Sequence, residues 1–185
     1  MHLLLANNSA GGAGGAGAFE AIASATGTGS SNTITFSSIP STYQHLHLRG
    51  IVRGDSGTSC NINIQLNSDS GSNYSVHDLY GTGSSVSAGG GASQTSINSG
   101  PVGWGSSVAS DIVGAFIIDI HDYASTSKYT TVKGFTGRDK NDAGFLRLFS
   151  GAWLNTAAVD SITLTATAGN FTNLTQIALY GIKGA

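Results

Sequence analysis

The chain has 185 residues, of which 27 are glycine, and only 10% are charged. That length suits one domain, or one domain with an arm. Its 8 basic and 10 acidic residues give a formal net charge of -2 and form no basic patch, which excludes binding driven by phosphate backbones. No segment reaches the roughly 18 apolar residues of a membrane span, so neither nucleic acid nor membrane is an expected partner.

Residues 1–17 form a separate block. Leu3, Leu4 and Leu5 make a small apolar tip, followed by Asn7-Asn8-Ser9 and a glycine/alanine run. Such a run acts as a flexible tether. We expect an arm whose tip docks on another molecule, and we read no targeting signal in it. Residues 18–185 are expected to form one all-β domain, because β-branched residues are common and no sustained 3.6-residue stripe appears.

Strands are predicted over Phe19–Thr26, Thr33–Ser37 with Ile34 and Phe36 inward, and Tyr43–Arg53 with Leu46, Leu48 and Val52 on one face. Asn61–Asn67 is the cleanest alternation: Ile62, Ile64 and Leu66 in, Asn61, Asn63 and Gln65 out. A turn at Asp69-Ser70-Gly71 leads to a strand over Tyr74–Leu79. Residues 81–110, mostly Gly and Ser, read as one long loop of the kind that is usually functional or disordered. Trp104 in that loop needs burial, at a partner or over the end of the fold.

Strands follow over Asp111–His121 and Tyr129–Phe135. The closing stretch, Phe145 to Lys183, holds three apolar runs. Ile162, Leu164 and Ala166 alternate with polar neighbours, and Ile177 to Ile182 reads as a strand covered on both sides. Ala168-Gly169-Asn170 is turn chemistry, which predicts a hairpin between those two strands. The sum is an antiparallel β-sandwich, with jelly-roll connectivity the leading expectation.

Residues of catalytic type do not gather. Gly54-Asp55-Ser56-Gly57 matches the tetrapeptide around a serine-protease nucleophile, and Arg53-Gly54-Asp55 spells an integrin-binding tripeptide; both read as a turn. Cys60, the only cysteine, reads as a half-buried thiol at the core edge. His45 and His47 share a strand face, but a zinc site needs a third ligand from His77, Asp78, His121 or Asp122, and nothing in the sequence brings one to them. Asn67, Asp69, Gly71 and Asn73 imitate a calcium loop without its closing Glu, Glu20 being the only Glu. Asp119 and Asp122 are the carboxylates of the type a glycosidase needs. No Walker loop, dinucleotide fingerprint or nucleophile elbow is present. We therefore expect no catalytic site, no metal and no cofactor.

Several stretches carry a resemblance. They are Ile39-Pro40-Ser41-Thr42-Tyr43 with Leu46-x-Leu48, Ile64-Gln65-Leu66-Asn67 with Gly71-Ser72-Asn73-Tyr74-Ser75, Trp153-Leu154-Asn155-Thr156-Ala157-Ala158, Ser161 to Thr165, Gly169-Asn170-Phe171 and Leu179 to Lys183. Together they resemble a family of virion structural proteins of tailed bacteriophages, including cyanophages, over residues 19–184. The resemblance implies a β-sandwich module of the capsid surface or tail appendages, and it offers no catalytic residues. The expectation that follows is a capsid decoration (cement) protein on the virion surface. Its partners are the major capsid protein, gripped by Leu3, Leu4 and Leu5, and its own copies, as a homotrimer. The alternative is a tail-fibre or baseplate module in which Trp104, Tyr80 and Tyr123 stack on host-surface glycan.

Overall fold

The computed structural model describes residues 18–184. Twelve strands form two antiparallel sheets packed as a β-sandwich. They are β1 (Phe19–Thr26), β2 (Thr33–Phe36), β3 (His45–Val52), β4 (Ser59–Leu66), β5 (Tyr74–Gly81) and β6 (Val86–Gln94), then β7 (Ile97–Trp104), β8 (Gly114–His121), β9 (Thr130–Asp139), β10 (Gly144–Trp153), β11 (Ile162–Ala166) and β12 (Gln176–Ile182). The wide sheet has eight strands in the order β1-β12-β3-β8-β9-β10-β5-β6, and the narrow sheet has four in the order β2-β11-β4-β7. Three hairpins that stay in one sheet, β5–β6, β8–β9 and β9–β10, widen the first sheet to eight strands. The other connections cross from one sheet to the other.

Period two builds the core. Ile62, Ile64 and Leu66 of β4 and Ile162, Leu164 and Ala166 of β11 point inward from the narrow sheet. They meet Leu46, Leu48, Ile118, Ile120, Val132 and Leu179 from the wide one. Each fully buried Leu or Ile contributes about 1.5–3 kcal/mol by leaving water.

Three expectations change. Residues 81–110 are not one loop: β6 and β7 occupy most of the segment. β6 is almost all small residues and is exposed along both faces, so its backbone pairing with β5 rather than side-chain burial makes it a strand. β7 buries Ile97, Ser99, Val102 and Trp104, and two register shifts against β4 hide that alternation in the sequence. Second, β11 and β12 are not a hairpin, since they belong to opposite sheets. Gly169 does take the positive φ of a turn, +63°. Its neighbour Asn170 donates its backbone and side-chain N–H to Asp55, steering the chain across to the wide sheet. Third, β12 is covered on one side only: Ile177 and Leu179 are buried, while Ala178, Tyr180 and Ile182 on the other side are half-buried.

The turn between β4 and β5 is a hydrogen-bonded corner rather than a calcium loop. Asp69 accepts from the Trp153 indole N–H at 2.7 Å, from Asn73 Nδ2 at 2.9 Å and from the Gly71 amide at 2.8 Å. Tyr74 is buried and stacks on Trp153. Its hydroxyl accepts the Leu66 amide and bonds the Asp69 carbonyl, and burial pushes its pKa up to about 12.

The donors around Asp69, the Trp153 indole first, hold its carboxyl below the ordinary 3.8. A carboxylate lowered in the folded state contributes stability that is complete above its unfolded value and lost as pH falls through its folded one. Asp69→Ala leaves the buried indole N–H without its acceptor and should cost about 1–3 kcal/mol at neutral pH by urea unfolding. Asp69→Asn should flatten the loss of stability on acidification below about pH 4. An unchanged acid limb would remove Asp69 from that account.

Candidate interaction surface

A two-layer sandwich covers one face of each sheet. On the outer face of the wide sheet, strand register lines side chains up in rows. One row runs Leu79 (β5), Leu148 (β10), Phe135 (β9), Ile117 (β8), Arg49 (β3) and Ala178 (β12). The next runs Gly81, Leu146, Gly137, Ala115, Ile51 and Gln176 on the same strands. Leu148 is 54% exposed, Leu146 51%, Leu79 50% and Phe135 40%. A contiguous apolar patch of this kind marks an interaction surface far more often than scattered exposed residues do.

The two rows differ in height. Gly137 and Ala115 are paired neighbours in the second row and leave a trough between Leu146 and Ile51. A groove of about 650 Å³ lies over Ile51, Ala115, Gly137 and Phe135. A second, of about 600 Å³, lies beside Leu79, Leu148, Phe135 and Ile117. The flanking row is polar: His77, Ser150, Lys133, Asp119, His47 and Tyr180.

Two of the three aromatic side chains proposed to stack on sugar are buried within the chain. Trp104 is only 3% exposed. The Arg138 guanidinium lies 4.0 Å from its ring centre, and its indole N–H donates to the Asp139 carbonyl at 3.2 Å. Tyr123 is fully buried; its hydroxyl donates to the Pro40 carbonyl and accepts the Tyr43 amide. Tyr80 is half-buried and stacks on Phe145 at 5.3 Å. Leu3, Leu4 and Leu5 lie outside the described residues. The sequence reading misses the outer rows: it predicts strands over Asp111–His121 and Tyr129–Phe135 without assigning their faces, although alternation in β8, β9 and β10 places them.

The other candidate groups are engaged in structure. Arg53 is buried, donating to the Ile112 carbonyl at 2.7 Å and the Val108 carbonyl at 2.5 Å, so the arginine of the integrin-type tripeptide is not presented to a partner. Cys60 is fully buried rather than at the core edge, and burial pushes its thiol up to about 12, far from a thiolate nucleophile at neutral pH. His45 Nδ1 accepts the Asp122 amide at 3.0 Å, and His47 Nδ1 lies 2.6 Å from Asp119. Among the described residues no group of three or more His, Cys, Asp or Glu is placed to hold a metal ion. Asp122 is held in its anionic form by Lys128 first, the opposite of what a general acid needs. Arg147 and Asp78 form an ion pair between the sheets, with Asn98 also against the guanidinium.

Comparison with protein-family models, curated proteins and solved structures finds no match to this chain.

Burial separates structural aromatics from surface ones. Trp104→Ala should destabilise the fold by about 3–5 kcal/mol, and Tyr123→Phe, which strands the Pro40 carbonyl and Tyr43 amide, by about 1–3 kcal/mol. Val86→Ala, at an exposed edge, should stay within about 0.5 kcal/mol of the parent. Denaturant midpoints measure all three, and a neutral Trp104→Ala would contradict its place under Arg138.

Proposed function

We propose that this chain is a non-enzymatic structural module of a tailed-phage virion, a decoration protein that binds and stabilises the assembled capsid shell. The observation that carries a non-enzymatic, protein-docking role is the exposed apolar face of the wide sheet, which suits the surface of another protein chain better than a small ligand. The phage assignment rests on the sequence resemblance over residues 19–184. Low charge and a Ser/Thr/Asn-rich surface fit a rigid passive brick. Residues 1–17, with their apolar tip, are the segment assigned to grip the major capsid protein. A ligand that binds only the assembled shell shifts assembly toward that state by mass action. The glycan-binding alternative loses Trp104 and Tyr123 as stacking platforms, because both are buried, and no other observation favours it.

Co-sedimentation with expanded shells, assembled from the major capsid protein encoded in the same genome, tests the reading. The full chain should bind saturably, and deleting residues 1–17 should weaken binding at least about tenfold, roughly 1.4 kcal/mol. Shells that take up none of the full chain, or take up the deleted chain equally well, overturn it.

A further inference from the structure

We infer that the apolar outer face of the wide sheet is occupied by a second copy of the same chain, packed face to face across a two-fold axis that runs perpendicular to the strands between the two apolar rows. The inference rests on that face being an interface, and not on the virion assignment.

The register supports one particular pairing. Tyr80, Arg147, Thr136, Phe116, Gly50 and Ile177 form a single paired row across six strands, with side chains on the inner side or absent. An axis placed over that row exchanges the two outer rows that flank it. Each residue i then faces residue j of the partner, and j faces i, as any isologous contact requires. Phe135 of each copy falls on Gly137 of the other, and Ile117 falls on Ala115. On β9 and β8 the taller side chains of one sheet enter the trough of its mate. Leu148 meets Leu146 and Leu79 meets Gly81, so the contacts on β5, β10, β9 and β8 join apolar or small groups, while on β3 and β12 Arg49 meets Ile51 and Ala178 meets Gln176.

Charge agrees with shape. Along β9 the outward positions beyond the knob and its hole are Lys133 at one end and Asp139 at the other, both exposed. The same axis sets Lys133 of each copy against Asp139 of its partner. Within one chain these two lie six residues apart on one extended strand, about 20 Å, so they cannot pair with each other. Opposed in a dimer, they flank the apolar centre on both sides and fix its register.

Size also fits. Eight strands at about 4.8 Å spacing, each about 27 Å long, give a face of roughly 1,000 Å². A standard stable interface takes about 800 Å² per partner. Two sheets packed this way adopt the aligned arrangement about 10 Å apart. Sheet twist displaces pairs on the strand at the centre of the contact least, and the test rests mainly on β9, which carries Phe135, Gly137, Lys133 and Asp139. The symmetry is two-fold, which differs from the trimer expected at the sequence level.

Sedimentation velocity of the full chain, from sub-micromolar to about 100 μM, reads the association directly. A dimer is expected. Phe135→Asp and Ala115→Leu, both at exposed positions, should each raise the dimer dissociation constant at least about 100-fold, while far-UV circular dichroism and thermal midpoint report that the sandwich is intact. Lys133→Asp alone should weaken the dimer about tenfold, and adding Asp139→Lys should restore it. Because the two residues cannot touch within one chain, restoration identifies a contact between copies and does not depend on any variant that fails to fold. A wild-type chain that stays monomeric, forms trimers, or dimerises with Phe135→Asp and the charge swap having no effect overturns the proposal. Shell binding, measured separately, distinguishes the two readings: a monomer that saturates shells removes the pair alone, and a dimer that ignores shells removes the virion role alone.

Discussion

A strand has two faces, and a second sheet can cover only one of them. The other side of the wide sheet must therefore be wet, or be covered by something else. In β11 the polar alternates are threonines, and Thr163 meets Thr35 across the neighbouring strand. That outer face belongs in water. The wide sheet breaks this pattern at its centre, where β8, β9 and β10 carry Ile117, Phe135, Leu148 and Leu146 on the side away from the core. Burying such side chains is worth about 25 cal/mol per Å², so a partner surface gains what the fold itself leaves uncollected.

The interior is made rigid by a few polar fixtures set among apolar packing. The Asp69 carboxylate joins the β4–β5 turn to the end of β10 through Trp153. The Tyr123 hydroxyl joins the turn before β3 to the corner after β8. The Asp55 carboxylate joins the β3–β4 loop to the turn before β12. Each links segments remote in sequence through acceptors already satisfied by N–H or O–H donors, in covered surroundings at Asp69 and Tyr123 and at the surface at Asp55. An unmet partner costs more than a met one contributes, so these contacts enforce one arrangement of the loops. At Gly114 the sheets approach so closely that a β-carbon would collide with the Val102 carbonyl.

The strands that pack by apolar alternation were legible in the sequence. β4 and β11 bury the residues their pattern assigns, and β1, which buries none of its residues, still begins and ends where Phe19–Thr26 is predicted. β9 runs on to Asp139 because backbone pairing with β8 and β10 continues past Phe135 through Gly137, where side-chain pattern is silent. β6 was illegible for the same reason: the backbone of its glycines and serines pairs with β5, but nothing in their side chains says so. Pairing partners are long-range information. The hairpin expected between β11 and β12 failed because a turn residue says that the chain reverses, not which sheet receives it. The candidate surface was half-legible, since Phe135 and Leu148 were in view but their alignment required the register.

β9 concentrates both jobs of the wide sheet. Its inner side sends Val132 into the core, buries Thr136, and leaves Gly134 without a side chain where the Phe149 ring lies. Its outer side carries, in order, Lys133, Phe135, Gly137 and Asp139: a charge, a knob, a hole and the opposite charge. Reversed end for end, that series is complementary to itself. Glycine therefore serves inward at Gly134, to admit an aromatic ring of the same chain, and in the proposed pair Gly137 would serve outward in the same way. A chain with so few charged residues gains little from general surface electrostatics. In the proposed pair, two of them at matched distances either side of one apolar centre would favour a single register through opposite charges, and like charges would penalise the parallel one.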